Sequence, residues 1–276
     1  MTPSSDTVVP WVHRQHALWQ DRWLQCVEPG RLARARKRRA PDAPNPLVSF
    51  PVATYNRGRI LCERTIPSLL AQTHAHIEVI VVGDQVADDT RERVAAIDDP
   101  RVRFVDLPRR GPYPESPKSR WFVVGARPRN AGIRLARGSW IYVISDDDVL
   151  YPDAVEKLLR FATQGGCESV TAACDWWEDG VLKSWRSDEG LRNLGFPCGG
   201  VPAWMYRSDL QFFGWNPHSW KKDWNRPSDY DLLVRMHRCG VRMGYLNEAV
   251  ALQPFVEGTR THGNRAFIEL AQQGLV

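Results

Sequence analysis

The sequence predicts an α/β fold: a mostly parallel sheet flanked by helices and preceded by an N-terminal helical extension. Between residues 47 and 163, short apolar runs alternate with amphipathic segments, which is typical of strands joined by right-handed crossover helices. One apolar run, within Trp140–Pro152, ends in three consecutive carboxylates. Ligands of such sheets bind beyond the carboxyl ends of the strands, so this run also predicts where a site lies.

The composition is that of a soluble globular protein, since 43% of the 276 residues are hydrophobic and 25% are charged. No apolar run approaches the roughly 18 residues of a membrane span, and the first residues lack the layout of a secretory leader. We therefore expect a cytoplasmic protein, with peripheral membrane contact as an alternative. The six cysteines form no CxxC pair, so neither a zinc site nor a disulfide framework is predicted.

The chain is expected to have three parts, at 1–46, 47–160 and 161–276. In the first part, apolar residues at helical spacing predict a helix over 11–28 that Pro29-Gly30 ends. We expect the apolar stripe of this helix to pack on the main body, with a dimer contact as the alternative. The stripe consists of Val12, His16, Trp19, Trp23 and Val27.

A basic run, Arg31–Arg39, supplies much of the net charge of +5. Such a run fits contact with nucleic acid or an anionic surface, whereas the plainer alternative is a solvated face or tail. The cations expected at such a contact are Arg31, Arg34, Arg36, Lys37, Arg38 and Arg39.

From Leu47 onward the expected elements follow in order. Strands are predicted at 47–53, 76–84, 102–105 and the start of Trp140–Pro152, and helices at 60–72, 88–97, 129–136 and 153–163. Pro67 is expected to kink or shorten the first of these helices.

The second half is less regular in sequence. Strands are predicted at 168–174, at 181–185 and over 241–255, with a tail helix at 268–272. Residues 186–228 are rich in Gly, Pro, Trp and Asn, which favours loops with one short helix around a substrate. The next helix is predicted from Leu232, Met236 and Cys239, which fall on one face.

The three adjacent carboxylates, Asp146, Asp147 and Asp148, repel one another, so a cation and an anionic ligand are expected beside them. Oxygen ligands suit Mg²⁺ or Mn²⁺ better than Zn²⁺. The plain alternative is an acidic loop in which Asp148 caps a helix. At neighbouring strand tips, Asp84 is placed to accept a hydrogen bond from a base and Tyr55 to pack on it, although Asp84 also suits an ordinary turn.

Three segments in order resemble the family 2 glycosyltransferases with the GT-A fold. They are LVSFPVATYNR at 47–57, VIVVGD at 79–84 and RNAGIRLARGSWIYVISDDDVLYP at 129–152. The resemblance is close over Leu47–Leu159 and looser as far as Gly263. It implies a GT-A (Rossmann-like) fold and transfer of a sugar from a nucleotide-diphosphate donor, usually UDP-linked, with Mn²⁺ or Mg²⁺. The half at 47–160 is then expected to bind the nucleotide-sugar and the half at 161–276 the acceptor.

The resemblance also implies site residues on the donor side. Asp147 corresponds to the main metal ligand with Asp146 beside it, and Asp84 corresponds to the aspartate that binds the base. The implied donor contacts are Pro51, Ala53, Tyr55, Arg57, Asp84, Arg129, Asn130 and Asp146. Two positions depart from the family pattern: a second acidic residue is missing beside Asp84, and Ser145 replaces the first aspartate of an Asp-x-Asp motif.

The segment Ser228–Arg235 resembles the family's Glu-Asp-Tyr-Asp-x-x-x-Arg helix start, with Ser228 in place of the glutamate. The resemblance implies that Asp229 removes the proton of the acceptor hydroxyl in inverting members. The alternative is an aspartate that only suits the helix dipole. The resemblance also implies, more weakly, that His262 contacts the metal; the alternative is an ordinary surface histidine. The weaker implied contacts to the acceptor are Gly200, Trp204 and Asp231.

The leading hypothesis is therefore a metal-dependent, inverting glycosyltransferase. Its acceptor is a small molecule, a peptide or a lipid-linked glycan, which the sequence does not distinguish. A nucleotidyltransferase is a weaker alternative because VATYNRGR lacks a Gly-rich phosphate loop. Two further alternatives are a glycosyltransferase with retaining stereochemistry and a non-catalytic protein that binds nucleotide or polyanion.

Overall fold

The computed structural model describes residues 9–178, 181–185, 197–199, 201–224 and 227–254. Its helices are α1 (Trp11–Arg38), α2 (Gly58–Ile60, Leu61–Thr65 and Ile66–Leu70), α3 (Thr90–Ala95), α4 (Pro117–Trp121), α5 (Ala126–Leu135), α6 (Ala154–Gly165) and α7 (Ser228–Arg238). Two 3₁₀ segments, Ser208–Phe213 and Ser219–Lys221, precede α7. Among the described helices, none has the length and apolar content needed to cross a membrane.

The strands form one mixed sheet. They are β1 (Val48–Thr54), β2 (Ile77–Gly83), β3 (Val102–Asp106), β4 (Trp140–Val143), β5 (Val149–Leu150), β6 (Ser169–Glu178), β7 (Val181–Trp185), β8 (Trp204–Arg207) and β9 (Met243–Gln253). Their order is β3-β2-β1-β4-β8-β6-β9-β5, with β7 paired to β6. The first four strands in this order run parallel, as predicted, and β8 joins the two halves as an antiparallel strand between β4 and β6.

The parallel part of the sheet forms because its strands are apolar on both faces. Every residue of β1, β2 and β4 is buried, which explains why these segments are continuous apolar runs rather than alternating ones. Helices α2 and α6 pack on one face through Leu61, Leu69 and Leu158, which share a core with β1 and β2. The predicted α/β fold with an N-terminal helix is confirmed.

Pro67 changes the form of α2 without ending it. A π turn over Leu61–Thr65 lies one residue before the proline, and in it the amide of Ile66 bonds to the carbonyl of Leu61. The wider turn accommodates a residue that has no N–H to donate to the carbonyl four positions earlier. The helix then continues to Leu70.

The predicted end of α1 at Pro29-Gly30 is wrong, because the helix continues through both residues to Arg38. Pro29 and Gly30 are exposed, so the missing hydrogen bond lies on the solvent side. The opposite face packs on the body on either side of them, and tertiary packing overrides the local preference. The packed face of α1 consists of Ala17, Asp21, Leu24, Glu28 and Leu32.

The predicted apolar stripe of α1 is therefore on the wrong side. The exposed fractions of Val12, Trp19 and Trp23 are 66%, 67% and 45%, so these residues do not pack on the body. The face that does pack is held by buried charges instead. Six charged side chains form what we call the interface network. They belong to α1, to α7 and to the residue directly after the 3₁₀ segment Ser219–Lys221, and they are Asp21, Glu28, Lys222, Asp231, Arg235 and Arg238.

Part of the basic run is also a packing surface rather than a solvated tail. Arg36 and Arg39 both pair with the buried carboxylate of Glu168, at 2.6 Å each. Arg39 also pairs with Asp209 at 2.7 Å. Two of the six cations expected at an anionic surface are thus committed to the protein itself.

In the second half, the β6–β7 hairpin, α7 and β9 form as predicted. The strand β8 was not predicted, because the surrounding segment is rich in Gly and Pro. Its four residues are held from both sides by β4 and β6 rather than by a long apolar run of their own. The predicted helix at 268–272 lies outside the described residues.

Candidate active site

The candidate site is a cleft of about 550 Å³ at the carboxyl ends of the parallel strands. The chain passes from β1 to β2 on one side and returns to β4 on the other, so the crevice lies where the strand order reverses. A bridge between Ala53 and Ser145 keeps the two strand tips adjacent. The predicted residues that line the cleft are Ala53, Tyr55, Arg57, Asp84, Arg129, Asp146, Asp147 and Asp229.

Asp146 and Asp147 share one cation. Arg57 donates to Asp146 at 2.9 Å and to Asp147 at 2.8 Å, and the hydroxyl of Thr54 donates to the second oxygen of Asp146 at 2.7 Å. Burial of Asp146 nevertheless raises its pKa to about 6, since desolvation outweighs the attraction of Arg57. Asp146 and Asp147 thus form a pair of carboxylates that already binds one cationic side chain, that of Arg57.

Asp148, the third carboxylate, supports the turn. It is buried and accepts a hydrogen bond from the amide of Ser145 at 3.1 Å. Burial raises the pKa of Asp148 well above its usual range, and the charge of Asp147 adds to this. Within the described part of the chain, no three His, Cys, Asp or Glu side chains form a metal site, and His262 lies outside it. The pair Asp146 and Asp147 fits Mn²⁺ or Mg²⁺ as an oxygen-ligand set that neutralises a cation.

At the opposite end of the cleft, Asp84 is almost fully buried. The hydroxyl of Tyr113 donates to one carboxylate oxygen of Asp84, and the other oxygen has no hydrogen-bond partner among the described residues. The guanidinium of Arg110 lies 3.6 Å from the ring centre of Tyr55, with its Nε 3.7 Å from Asp84. A buried, unpaired acceptor beside stacked planar groups is suited to an N–H of a flat ligand.

Arg129 lies in the floor of the cleft on α5. Its guanidinium carbon is 4.4 Å from the ring centre of Trp215, and one terminal nitrogen donates to the carbonyl of Ile144 at 3.3 Å. Its Nε has no hydrogen-bond partner within the described residues. The neighbouring Asn130 does not face the cleft, because its amide makes two 2.8 Å bonds to the backbone of Trp215. The predicted donor contact of Asn130 is thus corrected to a role in fixing Trp215 beneath Arg129.

Asp229 stands in the first turn of α7 and faces the cleft from the second half. The amide of Tyr230 donates to its carboxylate at 2.9 Å. Burial raises the pKa of Asp229 above its ordinary value, which strengthens it as a base. Asp231, two residues later, points away into the interface network, where it pairs with Lys222 and Arg235, so its predicted acceptor contact is wrong.

A family model for glycosyl transferase family 2 matches residues 49–114 and 123–248, which is well over half of the chain. The chain belongs to glycosyl transferase family 2. The matched ranges include every one of the cleft-lining carboxylates. They leave out α1, which precedes the first matched residue.

Relatives of this family 2 glycosyltransferase include the succinoglycan biosynthesis protein ExoO of Rhizobium meliloti. It is 44% identical over 124 residues, which are 45% of this chain and 32% of ExoO. The putative glycosyltransferase EpsH of Bacillus subtilis is 34% identical over 177 residues, which are 62% of this chain and 46% of EpsH. The chain thus spans about a third to a half of the length of these relatives.

Solved structures of similar fold include S. aureus TarS in complex with UDP-GlcNAc, with a TM-score of 0.60 and 16% identity, covering 82% of this chain and 64% of that one. The mannosyltransferase PcManGT from Pyrobaculum calidifontis, in complex with GDP-Man and Mn²⁺, gives a TM-score of 0.58 and 18% identity, covering 89% and 68%. At these identities the similarity concerns the fold, and the GT-A fold predicted for this family 2 glycosyltransferase is confirmed.

Two further predictions about this glycosyltransferase need correction. Pro51 is buried in β1 beneath Gly132 of α5 and does not line the cleft. Trp204 is fully buried, and its indole N–H donates to Ser169 at 2.9 Å, so its ring is not available to stack on a sugar. Gly200 lies outside the described residues.

Four residues that contact the predicted site residues were missed by the sequence analysis: Thr54, Arg110, Tyr113 and Trp215. The first follows from the strand register, because a polar residue at the tip of β1 must face either the cleft or a helix. The other three come from irregular segments, and their partners are far away in the chain. No local pattern indicates such partners.

Proposed function

We propose that the cleft binds a nucleotide-diphosphate sugar and that Asp229 activates an acceptor hydroxyl for attack on that sugar. The observation that carries this is the convergence of Asp84, Asp146, Asp147, Arg129 and Asp229 on one cavity. Four of these residues come from the half at 47–160, which we assign to the donor. Asp229 comes from the half at 161–276, which we assign to the acceptor.

On the donor side, the unpaired oxygen of Asp84 accepts an N–H of the base. Tyr113 orients Asp84 by donating to its other oxygen. Tyr55 and Arg110, stacked on each other, supply the planar wall against which the base packs.

The diphosphate belongs between the strand-tip carboxylates and Arg129. Asp146 and Asp147 would hold Mn²⁺ or Mg²⁺, which when bound offsets the charge of the departing diphosphate. Arg129 adds a buried guanidinium with an unsatisfied N–H, fixed by Trp215 and Ile144 before any ligand arrives. Preorganised donors of this kind stabilise charge that develops during a reaction.

On the acceptor side, Asp229 takes the proton from a hydroxyl as the oxygen of that hydroxyl bonds to the anomeric carbon. In the same step the bond from that carbon to the diphosphate breaks, so the configuration inverts. The raised pKa of Asp229 increases its affinity for the incoming proton. A retaining reaction would not require a base at this position.

UDP is the first candidate for the donor nucleotide. TarS and PcManGT were solved with UDP-GlcNAc and GDP-Man, so both UDP and GDP donors are tested. The proposed acceptor is a small molecule, a peptide or a lipid-linked glycan, and the proposed location is the cytoplasm.

A thermal-shift experiment tests the donor site. UDP, GDP, dTDP and CDP are added with and without Mn²⁺ to the wild-type protein and to Asp147→Ala. A ligand that binds only the folded state raises the melting temperature. We expect one nucleotide to do so with Mn²⁺ present, and this gain to disappear in Asp147→Ala. If no nucleotide stabilises the wild type under any condition, the proposal fails.

A further inference from the structure

Helix α1 has an outer face that nothing in the described structure covers. Opposite its packed face it exposes Val12, Trp19 and Trp23, with Trp11 at the edge of this face. The exposed fractions of Trp11, Val12, Trp19 and Trp23 are 73%, 66%, 67% and 45%. Single exposed apolar residues are common on protein surfaces, whereas several aligned on one helix face form a patch. At about 1.5 Å per residue, this patch extends roughly 18 Å along the helix.

Cations continue the same outer side toward the C-terminal end of α1. Arg34 and Lys37 are exposed there, and Arg22 and Arg38 are exposed at its edges. Arg31 joins the two regions, because its guanidinium lies 5.6 Å from the ring centre of Trp23. The outer side is therefore aromatic in its first half and positively charged in its second.

The outer side carries no opposing charge of its own. Within α1, which the structure describes in full, the acidic residues are Asp21 and Glu28. Both are buried against the body and paired with cations of the interface network. The charged groups that α1 presents on its exposed side are thus cations, with no acidic residue of the helix among them.

We propose that the outer face of α1 docks on an anionic lipid bilayer. Tryptophan rings favour the boundary between headgroups and acyl chains, and arginine and lysine side chains meet lipid phosphates at the same depth. Arg36 and Arg39 take no part, because Glu168 already binds both. This proposal does not depend on the transferase activity.

A second copy of the chain is a poorer occupant of this face. In a contact between two such helices, the exposed cations would find no carboxylate of α1 to pair with, since the acids of α1 point inward. An anionic bilayer supplies both an apolar layer for the rings and negative charge for the cations.

The experiment is sedimentation of the full chain with vesicles of phosphatidylcholine alone or mixed with phosphatidylglycerol. We expect binding to the mixed vesicles that weakens with added salt, together with a blue shift of tryptophan emission. Equal binding to both vesicle types, or to neither, would overturn the proposal.

Variants assign the binding to α1. Trp19→Ser combined with Trp23→Ser is expected to weaken vesicle binding at least about tenfold, because two interfacial anchors are lost. The matched control is Trp177→Ser, which removes a tryptophan 38% exposed on β6 and should change nothing. Both variants should keep the wild-type melting temperature, since these side chains are exposed. An equal loss of binding in both variants would contradict the assignment.

Light scattering tests the alternative in which a second copy of the chain covers the outer face. If the wild type is a dimer in solution and Trp19→Ser with Trp23→Ser makes it a monomer, the outer face is a subunit contact and the proposal is overturned. A monomeric wild type that binds anionic vesicles supports it.

Discussion

Two groups of buried carboxylates in this protein differ in how their charge is balanced. In the interface network, three carboxylates meet three cations, with Asp21 2.9 Å from Lys222 and 3.1 Å from Arg238. At the strand tips, Asp146 and Asp147 share Arg57, and the adjacent Asp148 has no cation within pairing distance among the described residues. The first group is electrically complete, whereas the second still favours a cation.

The way in which a carboxylate is paired distinguishes a structural role from a role at the cleft better than its residue type does. Asp229 and Asp231 are two residues apart on α7 and both were candidates for the site. Asp231 is fully buried between Lys222 and Arg235, while Asp229 faces the cleft. The same helix therefore contributes one carboxylate to the interface network and another to the cleft.

The largest expected effect comes from Asp229→Asn. If Asp229 is the base, transfer falls by about 10²–10⁴-fold, because the amide does not accept the proton. The melting temperature should stay close to that of the wild type. The measurement is the rate of nucleotide diphosphate release with donor and acceptor present. A variant that keeps its activity would favour a retaining mechanism, in which this base is not needed.

Arg235→Met should have the largest effect on folding. It leaves the carboxylates of Glu28 and Asp231 buried without their shared partner, which costs about 3–5 kcal/mol of the free energy of unfolding. Urea denaturation measures this loss. The control, Arg238→Met, removes a cation whose side chain is 29% exposed and should cost less than about 1 kcal/mol. Equal losses would mean that the network is not held by its buried pair.

The pH dependence of stability should have opposite signs in two regions. Burial raises the pKa of Asp146 from 3.8 to about 6, so its folded form holds its proton longer and unfolding becomes easier as pH rises through this range. The pKa of Glu168 falls from 4.5 to about 2, because Arg36 and the amide of Arg242 outweigh its desolvation. The contribution of ionised Glu168 to the free energy of unfolding is fully present above pH 4.5 and is lost as pH falls toward 2.

Denaturation of two variants in EDTA at several pH values checks these signs. Asp146→Asn should be more stable than the wild type above pH 6 and equal to it below about pH 4. Glu168→Gln should be less stable at neutral pH, with the difference shrinking as pH falls below 4.5. The same sign in both variants would contradict the distinction between the two regions.

Arg57→Ala should give the smallest effect. Arg57 occupies the side of Asp146 and Asp147 where a metal is proposed, so its removal should tighten Mn²⁺ binding by about three- to tenfold without nucleotide. Calorimetry measures the affinity. The control, Arg59→Ala, removes an exposed cation that pairs with Glu63 and should leave the affinity unchanged. Weaker binding in Arg57→Ala would mean that Arg57 helps to hold the ligand.

Much of the half at 47–160 could be predicted from the sequence because its strands are continuous apolar runs with polar tips. Asp84, Asp147 and Asp229 were placed around one cleft on this basis and on the family resemblance. The wrong predictions concern residues whose role depends on which other residues they contact in the folded protein. Trp204 and Pro51 were assigned to the site, but their positions within strands turn them toward the core.

The course of α1 was missed for a related reason. Pro29 and Gly30 end most helices, and only contacts distant in the chain keep this one continuous. Likewise, nothing near Arg110 or Tyr113 in the sequence indicates that both lie against Asp84. Local patterns predict elements, while long-range pairing determines which of their faces is used.

The anchoring of α1 has a consequence for where this protein can be cut. Family matching begins at residue 49, which suggests a fragment starting at Leu47 as a self-sufficient domain. Such a fragment would lack Asp21 and Glu28, and Asp231 would be the carboxylate of the network that remains for Lys222 and Arg235. We therefore expect the cooperatively folding unit to include α1, which lies outside the residues that match the family.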